Sequence, residues 1–117
     1  MTTSIYHNPR CSKSRQTLQL LQDNNIEVTV VEYLKNIPDA DIIKTLLKQL
    51  GMDSAQQLMR NKEAIYKELN LKDPSHSEDD LIAAMIANPK LIERPIVVHG
   101  DSAKIGRPPE QVLELFK

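Results

Sequence analysis

The order of strand-like and helix-like segments constrains the fold of this 117-residue chain most. Strand patterns, rich in β-branched residues, lie only near its two ends, at about Thr3–Tyr6, 28–33, 96–98 and 103–105. Residues of about 39–88 between them have helical patterns and no strand pattern. We therefore predict two strand-bearing ends separated by a helical block.

The connections between the strands are predictable as well. The first two strands enclose a helix predicted over about 12–24, an arrangement that favours parallel strands joined by a right-handed crossover. The last two flank the turn signal Gly100-Asp101, which predicts a β-hairpin. A final helix is expected from Pro108-Pro109-Glu110, with proline near its first position. The predicted layout is β-α-β, a helical block, then β-β-α.

Start and stop signals divide the helical block into helices. Pro38-Asp39 opens a helix whose apolar residues recur at helical spacing, and Gly51 ends it. Ser77 is the expected N-cap of the last helix within this block, because three acidic residues follow in that helix's first turn. Shorter helical segments are expected at about 54–59 and 62–69.

Composition excludes several classes of protein. A formal net charge of −1 gives no general attraction to nucleic acids or membranes. A single cysteine excludes an internal disulfide and a cysteine-rich zinc site, and it fits a reducing cytosol. No apolar stretch approaches the ~20 residues that a membrane crossing needs. We predict one cytoplasmic domain over residues 1–117, with no bound metal or cofactor and with neither nucleic acid nor membrane as a partner.

The stretch around the single cysteine, Cys11, is the best candidate for chemistry. Asn8-Pro9 is a turn signal after the first strand, and a helix begins at about Ser12, so Cys11 lies near free helix N–H groups. Neighbouring cationic side chains add to that field: Arg10, Lys13 and Arg15. Such surroundings lower a thiol pKa from ~8.5 to about 3.5–7.5. We predict a reactive thiolate, although a free cysteine is more commonly a small buried apolar residue.

Partners for that thiolate must reach it through the fold. His7 lies across the turn and could orient the loop or influence the thiol; the alternative is a strand-end histidine without a catalytic role. Arg94 and Arg107 lie at junctions between loops and regular elements, and Arg60 follows an apolar step in the helical block. Arginine recognises tetrahedral oxyanions by bidentate hydrogen bonds. Spacing alone does not show whether the three arginines converge or are ordinary surface residues.

Two familiar cysteine motifs are absent. The Cys-x5-Arg motif of cysteine phosphatases is absent, because position 17, where its arginine would lie, is Thr17. Cys-x-x-Cys fails too, because Ser14 occupies the second position. A covalent adduct on Cys11 therefore needs an external thiol to resolve it.

Three stretches taken together resemble the glutaredoxin-linked arsenate reductases over nearly the whole chain. They are 5–15, Glu93-Arg94-Pro95-Ile96-Val97-Val98 and 103–110. The resemblance implies an α/β thioredoxin-like mixed sheet with a helical insertion, which agrees with the block at about 39–88. It also implies a cis peptide bond at Arg94-Pro95.

The resemblance further implies a function and roles for the site residues. Cys11 would attack arsenate, with His7 beside it, and Arg60, Arg94 and Arg107 would hold the oxyanion. Glutathione, as co-substrate, would resolve the cysteine–arsenic adduct, and glutaredoxin would complete reduction to arsenite. Two alternatives stay open: a reductase of glutathione mixed disulfides, and a redox-sensing regulator of the same fold that binds RNA polymerase. Ser14 argues against the regulator, because such regulators typically carry Cys-x-x-Cys.

Overall fold

The computed structural model describes residues 2–117 and contains one four-stranded sheet. Its strands are β1 (Thr3–Tyr6), β2 (Thr29–Val31), β3 (Ile96–His99) and β4 (Ser102–Ile105), in the order β2-β1-β3-β4. β1 and β2 are parallel, whereas β3 is antiparallel to both β1 and β4. The predicted α/β class with a mixed sheet, and the predicted parallel opening and closing hairpin, are confirmed.

β2 is shorter than the predicted 28–33, and backbone hydrogen bonds explain why. The Val31 carbonyl accepts a hydrogen bond from the backbone N–H of His7 at 2.8 Å, which continues the pairing just beyond β1. The next carbonyl, that of Glu32, accepts from the N–H groups of Lys35 and Asn36 instead. The chain therefore turns after Val31 and cannot extend the ladder.

Helix α1 (Ser12–Asp23) connects β1 to β2 and covers the sheet with one face. Ser14, Thr17 and Leu21 are buried on that face. Leu21 joins a core with Ile5 and Val97 from the sheet. Leu18 packs against this core while remaining partly exposed, and the fully buried face of α1 includes two small polar residues, Ser14 and Thr17.

The C-terminal segment closes the same core. It forms a 3-10 helix, Pro109–Phe116, in which Val112 is fully buried. The first turn contains a hydrogen bond from the N–H of Gln111 to the carbonyl of Pro108 at 3.1 Å, an i to i+3 spacing. The predicted final helix is thus present, in the tighter 3-10 geometry.

The chain divides into two compact units, which are described separately. One contains the sheet and comprises the chain up to Asn36 with Arg94–Lys117; the other is Ile37–Glu93. This second unit corresponds to the predicted helical insertion at about 39–88. The prediction of one domain over 1–117 stays a prediction.

The second unit is built from helices, apart from a single bridge that joins Met59 to Ile92. Asp39 caps helix α2 (Ala40–Leu50) by accepting a hydrogen bond from the Ile42 N–H, and Gly51 ends this helix at a φ of 73°. Ser77 and Asp80 form a reciprocal capping box at the start of helix α4 (Glu78–Ala87). The predicted caps are therefore confirmed. The helices are α2 (Ala40–Leu50), α3 (Ala64–Glu68), α4 (Glu78–Ala87), and two 3-10 helices, Ala55–Leu58 and Pro89–Leu91. Within residues 2–117, no helix is long and apolar enough to cross a membrane.

We expect Gly106→Ala to destabilise the sheet unit, because the backbone packs too tightly there for a side chain. An added Cβ would lie 2.5 Å from Thr17 Oγ1 and 2.8 Å from Pro95 Cγ. Forcing extra atoms into a packed site typically costs about 1–3 kcal/mol. Urea unfolding measures the loss. Gly51→Ala is the comparison, since its Cβ meets nothing within 4 Å and only its positive φ is costly. Wild-type unfolding of Gly106→Ala would contradict the expected crowding.

Candidate active site

Cys11 lies where the loop after β1 becomes helix α1, as predicted. Its backbone is extended at the N-cap position, and its carbonyl accepts the first helical hydrogen bond, from the N–H of Arg15 at 3.0 Å. The turn before it is fixed by hydrogen bonds to Asn8, whose carbonyl accepts from the Cys11 N–H and whose Oδ1 accepts from the Arg10 N–H, both at 3.0 Å. The loop thus holds Cys11 in place at the helix start.

The pKa of the Cys11 thiol is lowered from its ordinary value of 9.0. Burial opposes this, since the residue is only 9% exposed and a buried thiolate loses water. The backbone N–H of Ser14, the positive charge of Arg94 and the backbone N–H of Lys13 outweigh burial. Cys11 makes no N-cap hydrogen bond of standard geometry, so these N–H groups act on the sulfur chiefly as oriented dipoles. The predicted thiolate has physical support.

The positive charge that lowers the Cys11 pKa does not come from the neighbouring residues Arg10, Lys13 and Arg15, as the sequence suggested. Arg15 directs its guanidinium to the carbonyl of Pro9, at 2.9 Å, and the side chain of Arg10 is exposed. Lys13 acts on the thiol through its backbone N–H. The charge that lowers the thiol pKa belongs to Arg94, a residue distant in sequence.

The register of the sheet explains how distant arginines reach Cys11. Tyr6, at the end of β1, pairs with Ile96, and Ile96 pairs with Ile105. Arg94 lies two residues before Ile96, and Arg107 lies two residues after Ile105. Both arginines therefore leave the sheet at the end where the Cys11 loop begins.

Arg107 also contacts the sulfur. Its Nη2 lies 3.8 Å from Cys11 Sγ, and its Nε donates a hydrogen bond to the backbone carbonyl of Arg94 at 2.9 Å. The peptide bonds Arg94-Pro95 and Arg107-Pro108 are both cis. The first was expected from the resemblance, and the second was not predicted.

Arg60 belongs to the second unit, where its contacts are with acidic residues. Its guanidinium pairs with Glu63 through Nη1 at 3.3 Å and with Glu93 through Nε at 3.8 Å. Its backbone N–H donates to the carbonyl of Leu91 at 2.7 Å. The role of Arg60 in holding an oxyanion stays a prediction.

The imidazole of His7 is hydrogen-bonded to Ser14. Its Nδ1 lies 2.6 Å from Ser14 Oγ, and both side chains are buried. Burial lowers the pKa of His7, Arg15 lowers it further, and the carboxylate of Glu32 partly opposes both. This environment consequently favours the neutral form of the imidazole. It reaches Cys11 through Ser14, whose backbone N–H stabilises the thiolate.

Ser14 is the functional residue that the sequence analysis missed. It is fully buried, and its hydroxyl also accepts a hydrogen bond from the Asn8 N–H at 3.0 Å. Ser14, Thr17 and Leu21 share one helix face at i, i+3 and i+7 spacing, which was the available signal that Ser14 points inward. From the sequence alone, Ser14 was notable only as the place of a missing second cysteine.

We expect the Cys11 thiol to titrate below 9.0 and Arg94→Ala to raise its midpoint, because that substitution removes the charge that favours the thiolate. Thiolate absorbance followed against pH gives both midpoints. Lys104→Ala is the control, since this lysine pairs with Glu114 instead. A midpoint at or above 9.0, with and without an added oxyanion, would contradict the assignment.

The arrangement suits nucleophilic attack on an anion. The thiolate lies at a helix start beside the guanidinium of Arg107, which is itself hydrogen-bonded to the backbone carbonyl of Arg94. Guanidinium groups stabilise negative charge that develops on oxygen during such an attack.

Comparison with known proteins agrees with this geometry. A model of the ArsC family matches residues 6–115. The chain is 64% identical over 111 residues to the uncharacterized protein YfgD of Escherichia coli K12, covering 95% of this chain and 93% of that one. It is 47% identical over 116 residues to the arsenate reductase of Haemophilus influenzae, covering 99% and 100%. The solved structure of the arsenate reductase from Vibrio cholerae, 54% identical, matches with a TM-score of 0.96 over 98% of both chains. The predicted thioredoxin-like fold class is confirmed, and the chain belongs to the ArsC family.

Proposed function

We propose that this protein reduces arsenate to arsenite, with Cys11 as its nucleophile. The observation that carries the proposal is the contact between Arg107 Nη2 and Cys11 Sγ at 3.8 Å. A guanidinium there can hold an anionic substrate against the sulfur that attacks it. Relatives that are named arsenate reductases support the same conclusion.

Arsenate suits this site on grounds of charge and shape. It is a tetrahedral dianion near neutral pH, and it needs cationic partners that can hold several oxygens at once. In our proposal Arg94 and Arg107 each bind one or more of its oxygens, while a role for Arg60 stays a prediction. Arsenic is a soft centre, which favours a thiolate over a hydroxyl as the attacking group.

In the proposed reaction two thiols, those of Cys11 and glutathione, supply the two electrons that arsenic gains. Cys11 attacks arsenic, an S–As bond forms, and one arsenate oxygen leaves as water after protonation. A glutathione thiolate then attacks the Cys11 sulfur, so that an S–S bond forms and the S–As electron pair stays on arsenic, which leaves as arsenite. Arsenic gains two electrons, and the two sulfurs lose two. Glutaredoxin would then reduce the Cys11–glutathione disulfide and restore the thiolate.

We assign His7 and Ser14 a positioning role in this cycle. The neutral imidazole and the Asn8 N–H hold the Ser14 hydroxyl from two sides. The Ser14 backbone N–H is thereby kept where it stabilises the thiolate before each attack. We place the activity in the cytoplasm, where a single cysteine stays reduced.

A coupled assay tests the proposal. The protein is mixed with arsenate, glutathione, glutaredoxin, glutathione reductase and NADPH, and NADPH oxidation is followed. We expect oxidation that requires arsenate and produces one arsenite per NADPH. Reduction of a glutathione mixed disulfide without arsenate turnover would support the alternative reductase, and the absence of both would contradict the proposed function.

A further inference from the structure

A cavity of about 200 Å³ lies against the loop that leads into Cys11. The buried His7 forms part of its lining, and Leu34, which is 40% exposed, supplies an apolar patch. Arg10, Glu32 and Lys35 place charges around it. All of these residues belong to the unit that contains the sheet and Cys11.

The charged groups of this cavity are available to a ligand. Lys35 Nζ and Glu32 Oε1 lie 3.8 Å apart, with side chains 78% and 40% exposed. An exposed pair of this kind contributes little stability and exchanges readily for other partners. The backbone of Arg10 is fixed by its hydrogen bond to Asn8 Oδ1, while its side chain is exposed. The cavity therefore offers two cations and one carboxylate, Arg10 from the loop before Cys11 and Glu32 and Lys35 from the turn after β2.

We infer that this cavity binds the γ-glutamyl end of glutathione, an inference that rests on the proposed function and deepens it. That end carries an α-carboxylate and an α-ammonium group on one carbon. Arg10 and Lys35 match the carboxylate, and Glu32 matches the ammonium group. Pockets for larger ligands are about 300–1,000 Å³. The smaller volume here suits one arm of the tripeptide.

The position of the cavity also suits the reaction. Neighbouring Cα atoms are about 3.8 Å apart, and an extended residue spans about 3.3–3.6 Å. A ligand held at Arg10 through its γ-glutamyl end can thus place its own cysteine, the next residue along, at Cys11. In this inference the cavity, whose lining extends to the residue before Cys11, holds the incoming sulfur near the site of attack.

The experiment uses a reaction that contains no arsenate, so that its failure is distinguishable from failure of the proposed function. The Cys11 thiolate attacks one sulfur of oxidised glutathione, the Cys11–glutathione disulfide forms, and the second glutathione leaves as a thiolate. Mass spectrometry follows formation of the mixed disulfide. Hydroxyethyl disulfide, which is neutral and lacks a γ-glutamyl group, serves as the reference oxidant.

We expect the double variant Glu32→Gln with Lys35→Gln to react about tenfold more slowly with oxidised glutathione and at the wild-type rate with hydroxyethyl disulfide. The matched control is Lys44→Gln with Asp79→Asn, which removes another exposed ion pair, of 3.7 Å, in the second unit. Circular dichroism checks the fold of both variants.

Three results would overturn the inference. Equal slowing with both oxidants would mean that the cavity tunes Cys11 rather than binds glutathione. Wild-type rates with both would mean that the cavity binds neither. If the double variant slowed only the reduction of the preformed mixed disulfide by glutaredoxin, Glu32 and Lys35 would instead serve to dock glutaredoxin.

Discussion

Cys11→Ser is expected to abolish arsenate reduction while leaving oxyanion binding largely intact. A serine hydroxyl does not ionise near neutral pH and cannot replace the thiolate whose pKa the site lowers. Arg94 and Arg107 remain in the variant, and the hydrogen bond from Arg107 Nε to the Arg94 carbonyl does not involve the sulfur. The cationic site should therefore keep its shape.

Two measurements separate these effects. Steady-state assays give turnover, and calorimetric titration with arsenate gives binding. Ser12→Ala is the matched control, because Ser12 is the exposed neighbour of Cys11 and contributes no group to the site described above. Residual turnover of Cys11→Ser above a tenth of wild type would show that another group attacks arsenic.

Arg94→Ala and Arg107→Ala should each lower kcat/KM for arsenate by roughly ten- to a hundredfold. A hydrogen bond to a charged group contributes about 1.5–3 kcal/mol, and ~1.4 kcal/mol corresponds to a factor of ten. Lysine should rescue only in part, because it supplies charge without bidentate geometry. We expect a smaller effect for Arg60→Ala, because Glu63 and Glu93 already offset the charge of Arg60.

The structure also predicts how the two arginine substitutions combine. Arg107 is anchored to the backbone carbonyl of Arg94, which survives in Arg94→Ala. That variant should therefore leave Arg107 in place. Because both arginines are proposed to bind the same oxyanion beside Cys11, the loss in the double variant should differ from the sum of the single losses in free energy. Lys104→Ala is the control. Wild-type kinetics in well-folded Arg94→Ala and Arg107→Ala variants would rule out an arginine clamp.

The elements that could be predicted from sequence are those set by local chemistry. The caps at Asp39, Gly51 and Ser77, and the hairpin around Gly100, follow from side-chain hydrogen bonding and from glycine at positive φ. Cys11 at a helix start follows from the Asn8-Pro9 turn in the same way.

The features that could not be predicted depend on long-range pairing. Arg94 and Arg107 meet Cys11 only because Tyr6, Ile96 and Ile105 share one register across three strands. Local charge suggested Arg10, Lys13 and Arg15 as the source of the lowered thiol pKa, but charge acts through space, and in the folded chain the positive charge that lowers the pKa is that of Arg94. Ser14 was missed because its importance lies in two hydrogen bonds that form only when α1 packs against the loop.

The environment of Ser14 ties catalysis to the state of the surrounding cell. Its hydroxyl is held by His7 and Asn8 at the position where a second cysteine would supply electrons from within the chain. In the proposed reaction every turnover would draw its reductant from solution, so the rate would rise with the concentration of free small thiols until they saturate the enzyme. Under oxidative stress that pool shrinks, and detoxification by this protein would slow when oxidants and arsenate arrive together.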